Sequence, residues 1–245
     1  MHRNFLLASR TIPIIVLLAV ASNTTAQVLD SHTVSWMKYQ IQLNFTPSSS
    51  WTNEIDNRRF IAPDAQNQLI VHSRMHWRKN KWEFAGGLTM SWVYAAFAEK
   101  PITHPTTEVR PVIEASYEHP FGKWALQQRV RIDNRIIEDN GQARIFDGSY
   151  FVMRFRYRIQ ARFALMKDDN NQTKLSLKAA EEIMLNHTKN TFDQNRISAI
   201  SEYAFNKKWG MEAGYIYIYQ QRFGRDEFLA RHVLRLSLLH RIYFY

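Results

Sequence analysis

The stretch FVMRFRYRIQARFAL, residues 151–165, constrains the fold of this chain more than any other feature. Arginine recurs here with a period of two, at positions 154, 156, 158 and 162. The residues between the arginines are apolar or aromatic, among them Phe155, Tyr157 and Ile159. Successive side chains of a strand point to opposite faces, so this alternation indicates a β-strand with one basic face and one apolar face.

Similar runs recur along the whole chain. We identify eleven of them, separated by turns: 34–46, 51–60, 67–78, 81–96, 108–119, 122–138, 150–165, 173–187, 193–205, 208–222 and 230–244. Many are far longer than the ~5–6 residues typical of strands in globular sheets. A tilted strand that crosses a membrane needs ~9–11 residues. The run lengths therefore favour a membrane barrel over a soluble sandwich.

The connections between the runs are of two kinds. Some are tight and polar, such as PSSS at 47–50 and FGK at 121–123, and others are longer, such as AEKPITHPTTE at 98–108. Short turns at one end and longer loops at the other are typical of outer-membrane barrels. We predict an all-β fold, a single antiparallel up-and-down outer-membrane β-barrel of about 10–12 strands over residues 27–245. Because such barrels normally have an even strand number, ten strands are favoured over twelve, with the barely apolar run 51–60 in doubt.

The N-terminal residues predict export. Arg3 and Arg10 precede an apolar run and a small polar stretch, the layout of a signal peptide over residues 1–26 with cleavage near Ala26. The chain has no cysteine, which excludes disulfides, thiolate metal sites and a lipoprotein anchor. A net charge of +10 would suit an anionic partner, but export argues against nucleic acid. We expect an outer-membrane location, with membrane lipid and the outer-membrane assembly machinery as partners.

Charged residues concentrate on one face of the runs. Charges that point into a dry core would be very costly, whereas in a wetted lumen they can pair across strands. The predicted lumen-lining network comprises Arg110, Glu114, Glu118, Arg129, Arg131, Asp133, Arg135, Arg154, Arg156, Arg158, Arg162, Glu182, Arg196, Glu202, Glu212 and Arg235. One residue, Glu181, falls on the lipid face of its run, which predicts a bulge or an end effect there.

Five of these arginines are predicted to form an inward ladder on adjacent strands. The ladder comprises Arg129, Arg131, Arg154, Arg156 and Arg158. Neighbouring strands lie ~4.8 Å apart, so these like charges need carboxylates nearby. The candidates to offset them are Glu114, Glu118, Glu182 and Glu202.

Aromatic residues mark the predicted membrane boundary. Trp82, Trp124 and Trp209 each follow a short turn directly, as an interfacial girdle requires. The chain ends in an alternating apolar run that contains Phe244 and Tyr245, which resembles the C-terminal signal read by the assembly machinery. That signal usually has its aromatic at the last residue, whereas here the residue on the lipid face is the penultimate Phe244.

The sequence leaves three functions open. The first is a structural or binding barrel with an Arg/Glu-lined lumen, the second is a narrow anion-favouring pore for small solutes, and the third is a lipid-directed enzyme. No phosphate loop, zinc signature or nucleophile elbow is present, so no catalytic residue, metal or cofactor is predicted. His72 and His76 would lie ~13 Å apart on one strand, too far for one metal ion. An enzyme would have Ser73 and His240 as its outward-facing candidates.

Several blocks in a fixed order resemble a known family. They run from WMKYQIQLNF and NRRF through EVRPVIEASYE, QRVRIDNR and RFRYRIQ to EEIMLN, FDQNRIS and WGMEAGYIYIY. The chain thereby resembles an uncharacterised domain-of-unknown-function family of Bacteroidetes-type exported proteins over about Val34 to Phe244. The resemblance implies a β-barrel-like outer-membrane protein with no assigned activity and no known ligand.

Overall fold

A computed structural model describes residues 28–245 except 95, 101, 103, 140–147, 170, 189 and 223. The predicted signal peptide lies outside the described residues. Eleven strands form one closed barrel, in which each strand pairs with its neighbours in sequence. The strands are β1 Val28–Thr46, β2 Ser49–Phe60, β3 Ala65–Lys79, β4 Trp82–Val93, β5 Thr106–Phe121, β6 Trp124–Glu138, β7 Ser149–Lys167, β8 Thr173–Asn186, β9 Phe192–Ala204, β10 Trp209–Gln221 and β11 Phe228–Tyr243.

The barrel closes through a parallel pair. β1 and β11 run in the same direction, in continuous register from Asp30↔Leu229 to Asn44↔Tyr243, and all other neighbours are antiparallel. The all-β barrel of 10–12 strands is thus confirmed, but the expectation of an even number is wrong. The doubtful run is a full strand, since β2 pairs with both β1 and β3 along its length. With an odd number of strands, the first and last must run parallel.

The two ends of the barrel differ in their connections. We call the end with the turns at 47–48, 80–81, 122–123, 168–172 and 205–208 the short-turn rim. The opposite end, which carries the β2–β3, β4–β5, β6–β7, β8–β9 and β10–β11 connections, is the loop rim. Because β1 and β11 are parallel, β1 begins at the loop rim and β11 ends at the short-turn rim.

The wall of the barrel is apolar outside and polar inside. On β7 the outward Phe151, Met153 and Phe155 are exposed, whereas the inward Arg154 and Arg156 are buried. Aliphatic side chains form a band around the middle of the outer wall: Ile55, Val71, Leu88, Ile113, Val130, Ile197, Leu234 and Leu236. No helix among the described residues is long and apolar enough to span a membrane.

Aromatic side chains flank this band at both rims. At the short-turn rim Trp82 stacks on Phe84, Trp124 packs on Phe163 and Trp209 stacks on His240, with ring centroids 6.0, 4.7 and 3.9 Å apart. At the loop rim Phe192, Tyr219 and Phe228 form a second cluster. The sequence pointed to the first belt through its three turn-proximal tryptophans and missed the second.

The spacing of the belts fits a lipid bilayer. Trp82 and Trp92 lie ten residues apart on the same face of β4, which corresponds to ~33 Å along a strand. A strand tilt of ~35–45° reduces this to ~25 Å of height, the height of the apolar band of outer-membrane barrels.

At the chain end, the exposed Phe244 stacks on Phe45 and donates its backbone N–H to the Asn44 carbonyl, and Tyr245 packs edge-on against Tyr243.

Glu181 needs no bulge, contrary to the expectation from the sequence. It lies in regular register opposite Ile159 and Ile197, on the outer face of β8. The amide Nδ2 of Asn195 donates a hydrogen bond to its Oε1 at 3.0 Å. A neighbouring polar side chain, rather than an irregular backbone, accommodates the outward carboxylate.

Candidate functional site

The lumen contains a cavity of about 540 Å³. Thirteen arginine and lysine side chains and eight aspartate and glutamate side chains line it, an excess of five positive charges among the described residues. A recess with low-dielectric walls and one dominant sign of charge raises the local concentration of counter-ions. The cavity is therefore a basic recess suited to anions.

The structure brings most of the predicted lumen residues together. Of the sixteen, fourteen line this cavity, namely Arg110, Glu114, Glu118, Arg129, Arg131, Arg154, Arg156, Arg158, Arg162, Glu182, Arg196, Glu202, Glu212 and Arg235. The other two lie nearby: Asp133 contacts Arg131 and Arg156, and Arg135 pairs with Glu108. Their common role in a functional network stays a prediction.

The arginine ladder is visible in the register of β6 and β7. Arg129 lies opposite Arg158, Arg131 opposite Arg156 and Asp133 opposite Arg154. Like charges at the ~4.8 Å spacing of neighbouring strands repel each other. The barrel can hold them only if carboxylates lie between the guanidinium groups.

Three carboxylates perform this role. Glu114 lies 3.6 Å from Arg74 and 3.5 Å from Arg129. Glu182 accepts hydrogen bonds from Arg129 and, at 2.8 Å, from Arg156. Asp133 contacts Arg131 Nε at 2.5 Å and Arg156 Nη1 at 3.3 Å.

Two of the carboxylates expected to offset the ladder do not touch it. Glu118 pairs with Arg162 at 3.2 Å, and Glu202 pairs with Lys178 at 2.6 Å and Arg241 at 2.8 Å. The ladder partner that the sequence reasoning missed is Asp133, whose position opposite Arg154 would have required the register of β6 and β7.

The opposite wall of the cavity carries four charges that the sequence reasoning also missed. Lys38 lies 3.7 Å from Glu54, and Glu54 also accepts a hydrogen bond from Arg74. The fourth is Lys178, which contacts the predicted Glu212 at 2.8 Å; the predicted Arg235 contacts Glu212 at 2.7 Å. The alternation of polar and apolar residues is weak on β1–β3, because outward positions such as Asn53 and Asn57 are polar too.

The loop-rim half of the lumen is packed. An apolar plug fills it, formed by Val34, Trp36, Phe60, Ala98, Ile216, Ile218 and Val233. Ala98 comes from the β4–β5 loop, and Arg231 fixes this loop by donating from Nη2 to the Ala96 carbonyl at 3.1 Å. Through Ala98, the β4–β5 loop thus packs against side chains of the barrel wall inside the lumen.

Packing at this level extends around the full circumference. Every strand contributes an inward side chain that is at most 7% exposed: Val34, Phe60, Ile70, Ser91, Glu108, Asp133, Val152, Met184, Gln194, Ile218 and Val233. On the side away from the plug, Glu108 binds Arg110 at 2.6 Å and Arg154 lies 2.9 Å from Asp193. These described inward side chains are therefore almost inaccessible to water.

Exposure rises toward the short-turn rim. The side chains of Arg162 and Glu118 are 38% and 41% exposed, whereas that of Arg131, deeper in the lumen, is 4% exposed. Both kinds of residue line the same cavity. This gradient indicates that the cavity opens toward the short-turn rim.

The remaining candidates for chemistry do not form a site. Ser73 accepts a hydrogen bond from Trp51 Nε1 at 2.8 Å, and His240 contacts the Tyr39 hydroxyl at 3.0 Å. Ser73 and His240 share a row but lie three strands apart, through Asn53 and Ile41, which is ~14 Å. His72 faces the lumen and contacts Thr89 at 2.7 Å. Among the described residues, no three His, Asp or Glu side chains could hold a metal ion.

Comparison with known protein families identifies the family of this chain. A family model described as a protein of unknown function (DUF2490) matches residues 33–228. No curated protein matches the chain. The resemblance to a family of unknown function is confirmed at that level, and the match assigns no residue a role.

Proposed function

We propose that this chain, which belongs to the DUF2490 family of proteins of unknown function, is an outer-membrane β-barrel that binds a ligand in a blind lumen. The observation that carries the proposal is the division of the wall into an apolar outside and a charged, recessed inside. A barrel of this kind matches lipid on one face and water on the other.

The outer wall argues against a soluble barrel. Ile113, Phe155 and Ile197 are 58%, 43% and 55% exposed near mid-height, on three different parts of the wall. Monomeric soluble proteins rarely expose contiguous apolar patches larger than a few hundred Å². An aliphatic band between two aromatic belts is instead the pattern that lipid and its two interfaces require.

The packed half of the lumen favours binding over conduction. A pore needs a water-filled path from rim to rim, and the apolar plug together with the buried charges leaves none among the described residues. Short turns face the periplasm in outer-membrane barrels. In that orientation the basic cavity opens toward the periplasm, and the membrane lipid surrounds the aliphatic band.

We assign no enzymatic activity to the barrel. The outward Ser73 and His240 lie too far apart to act as a nucleophile and its base, since such a pair needs hydrogen-bond contact. Phe244 and Tyr245, exposed at the end of the last strand, are available to the assembly machinery during insertion.

The proposal is tested by cell fractionation of the full chain expressed in a Gram-negative host. We expect the protein in the outer membrane, soluble only with detergent, because its aliphatic band would otherwise meet water. The unboiled protein should also migrate faster on a gel than the boiled protein, because a closed barrel resists unfolding by detergent. Recovery as soluble periplasmic material without detergent would contradict the proposal.

A further inference from the structure

We infer that the cavity is a binding site for a small, multiply charged oxyanion, of the phosphate or polycarboxylate class, with Arg158 and Arg196 as its principal ligands. The inference rests on the proposed binding function of the lumen and names the chemistry of the ligand. It starts from the guanidinium groups that the chain itself leaves without a carboxylate.

Arg158 is the first of these groups. It belongs to the ladder and lines the cavity, yet no carboxylate oxygen of the described residues lies within 4.0 Å of it. Its Nη2 donates to the neutral Gln127 Oε1 at 2.7 Å. Its Nε is buried and has no hydrogen-bond partner. A buried donor without an acceptor is costly, and an anion would supply the acceptor.

Arg196 is the second group. Its Nε and Nη2 both donate to one neutral oxygen, Gln194 Oε1, at 2.9 and 2.7 Å. Its guanidinium carbon lies 5.5 Å from the centre of the Trp36 ring. Like Arg158, it has no described carboxylate within 4.0 Å; its close partners in the described residues are a ring and an amide.

The two arginines flank a carboxylate that is already engaged. Arg158, Glu182 and Arg196 occupy one row on β7, β8 and β9, so the two arginine backbones lie ~10 Å apart. One oxygen of Glu182 binds Arg129 and the other binds Arg156. Glu182 therefore offsets Arg129 and Arg156 rather than the two flanking arginines.

The donors without a partner and the size of the cavity indicate the class of ligand. Two further buried donors near this row, Arg131 Nη2 and Arg156 Nε, also have no partner. The planar fork of a guanidinium matches the two oxygens of a carboxylate or phosphate. A ligand with several anionic groups can contact both flanking arginines, and a cavity of about 540 Å³ suits a small molecule.

Isothermal titration of the detergent-solubilised full chain with citrate and with inorganic phosphate tests the inference. We expect saturable binding of at least one of them in low-salt buffer. Arg158→Gln and Arg196→Gln should each weaken it by at least about tenfold, the effect of losing a charged hydrogen bond. The matched control is Arg59→Gln, which removes the same charge from the Asp64 pair on the outer side of the barrel and should leave the affinity unchanged.

Two outcomes would overturn the inference. One is the absence of binding by both probes at millimolar concentration, and the other is equal weakening by Arg59→Gln and the two lumen variants. If a glutamine variant does not fold, Arg158→Lys keeps the charge but loses the fork, and an intermediate affinity would then support the site. Unchanged affinity in Arg158→Lys and Arg196→Lys would overturn it.

A second measurement locates the ligand. Since the chain has no cysteine, a Ser198→Cys variant carries one thiol, at a position that lines the cavity. Citrate should slow its reaction with a charged thiol reagent, and unchanged labelling at saturating citrate would overturn the site. This binding assay in detergent does not depend on where the protein is located in the cell. A protein that is soluble without detergent and binds citrate would therefore contradict the proposed membrane location and still support the anion site.

Discussion

Replacing Phe155 and Tyr157 together with arginine should abolish insertion of the barrel into membranes. Both side chains point outward from β7, and Phe155 lies in the middle of the apolar wall. A charged side chain on the lipid face costs ~2–4 kcal/mol at the bilayer midplane. The cost of two such charges on one strand is comparable with the whole stability of a marginal domain, for which ~5–15 kcal/mol is usual.

The measurement is the folded fraction in lipid vesicles, read from the gel shift between unboiled and boiled samples. The matched control is Phe155→Leu with Tyr157→Phe, which keeps the outer face apolar and loses only the hydrogen bond from the Tyr157 hydroxyl to Gln128 Oε1. The control should insert like the unsubstituted chain. Normal insertion of the arginine variant would mean that this face does not meet lipid.

Arg156→Ala should destabilise the folded barrel by ~3–5 kcal/mol, the usual cost of removing one partner from a buried ion pair. Arg156 is 9% exposed and binds both Asp133 and Glu182. Its removal leaves two buried carboxylates with fewer partners. We therefore expect the main effect of Arg156→Ala to be a lower free energy of unfolding of the barrel.

Arg162→Ala is the matched control on the same strand. Its ion pair with Glu118 is much more exposed, and exposed pairs contribute ~0–1 kcal/mol. Urea unfolding in detergent micelles should separate the two variants clearly. Equal destabilisation by Arg156→Ala and Arg162→Ala would contradict the view that the ladder and its carboxylates form a buried structural network.

The alternation of polar and apolar residues in the sequence predicted most of the strands and which face of each strand lies inside the barrel. On β7 and β6 the period of two assigned Arg154, Arg156 and Asp133 to the inside, because one face of each strand is almost purely apolar. The same rule was weak on β2, where Asn53, Asn57 and Arg59 make the outer face polar. That weakness, combined with the expectation of an even strand number, removed a real strand from the favoured count.

Height within the barrel was beyond the reach of the sequence. Parity assigns a side chain to a face but does not say which residues of different strands meet at one level. Val34, Phe60 and Val233 belong to three strands, and only the register brings them together with Ala98 of a loop into the plug. For the same reason, the choice of Asp133 rather than Glu118 as a ladder partner depends on register.

The central claim is that the lumen is a blind basic cavity in a membrane barrel, and recording from the purified full chain in planar lipid bilayers tests it most directly. We expect the inserted protein to give no resolvable unitary current in either polarity. Its folding is verified by the gel shift of the same preparation in lipid vesicles. The reason for expecting no current is that the apolar plug and the buried charges around it would block the water path. Stable unitary conductance from the inserted barrel would contradict the claim and would identify the protein as a pore.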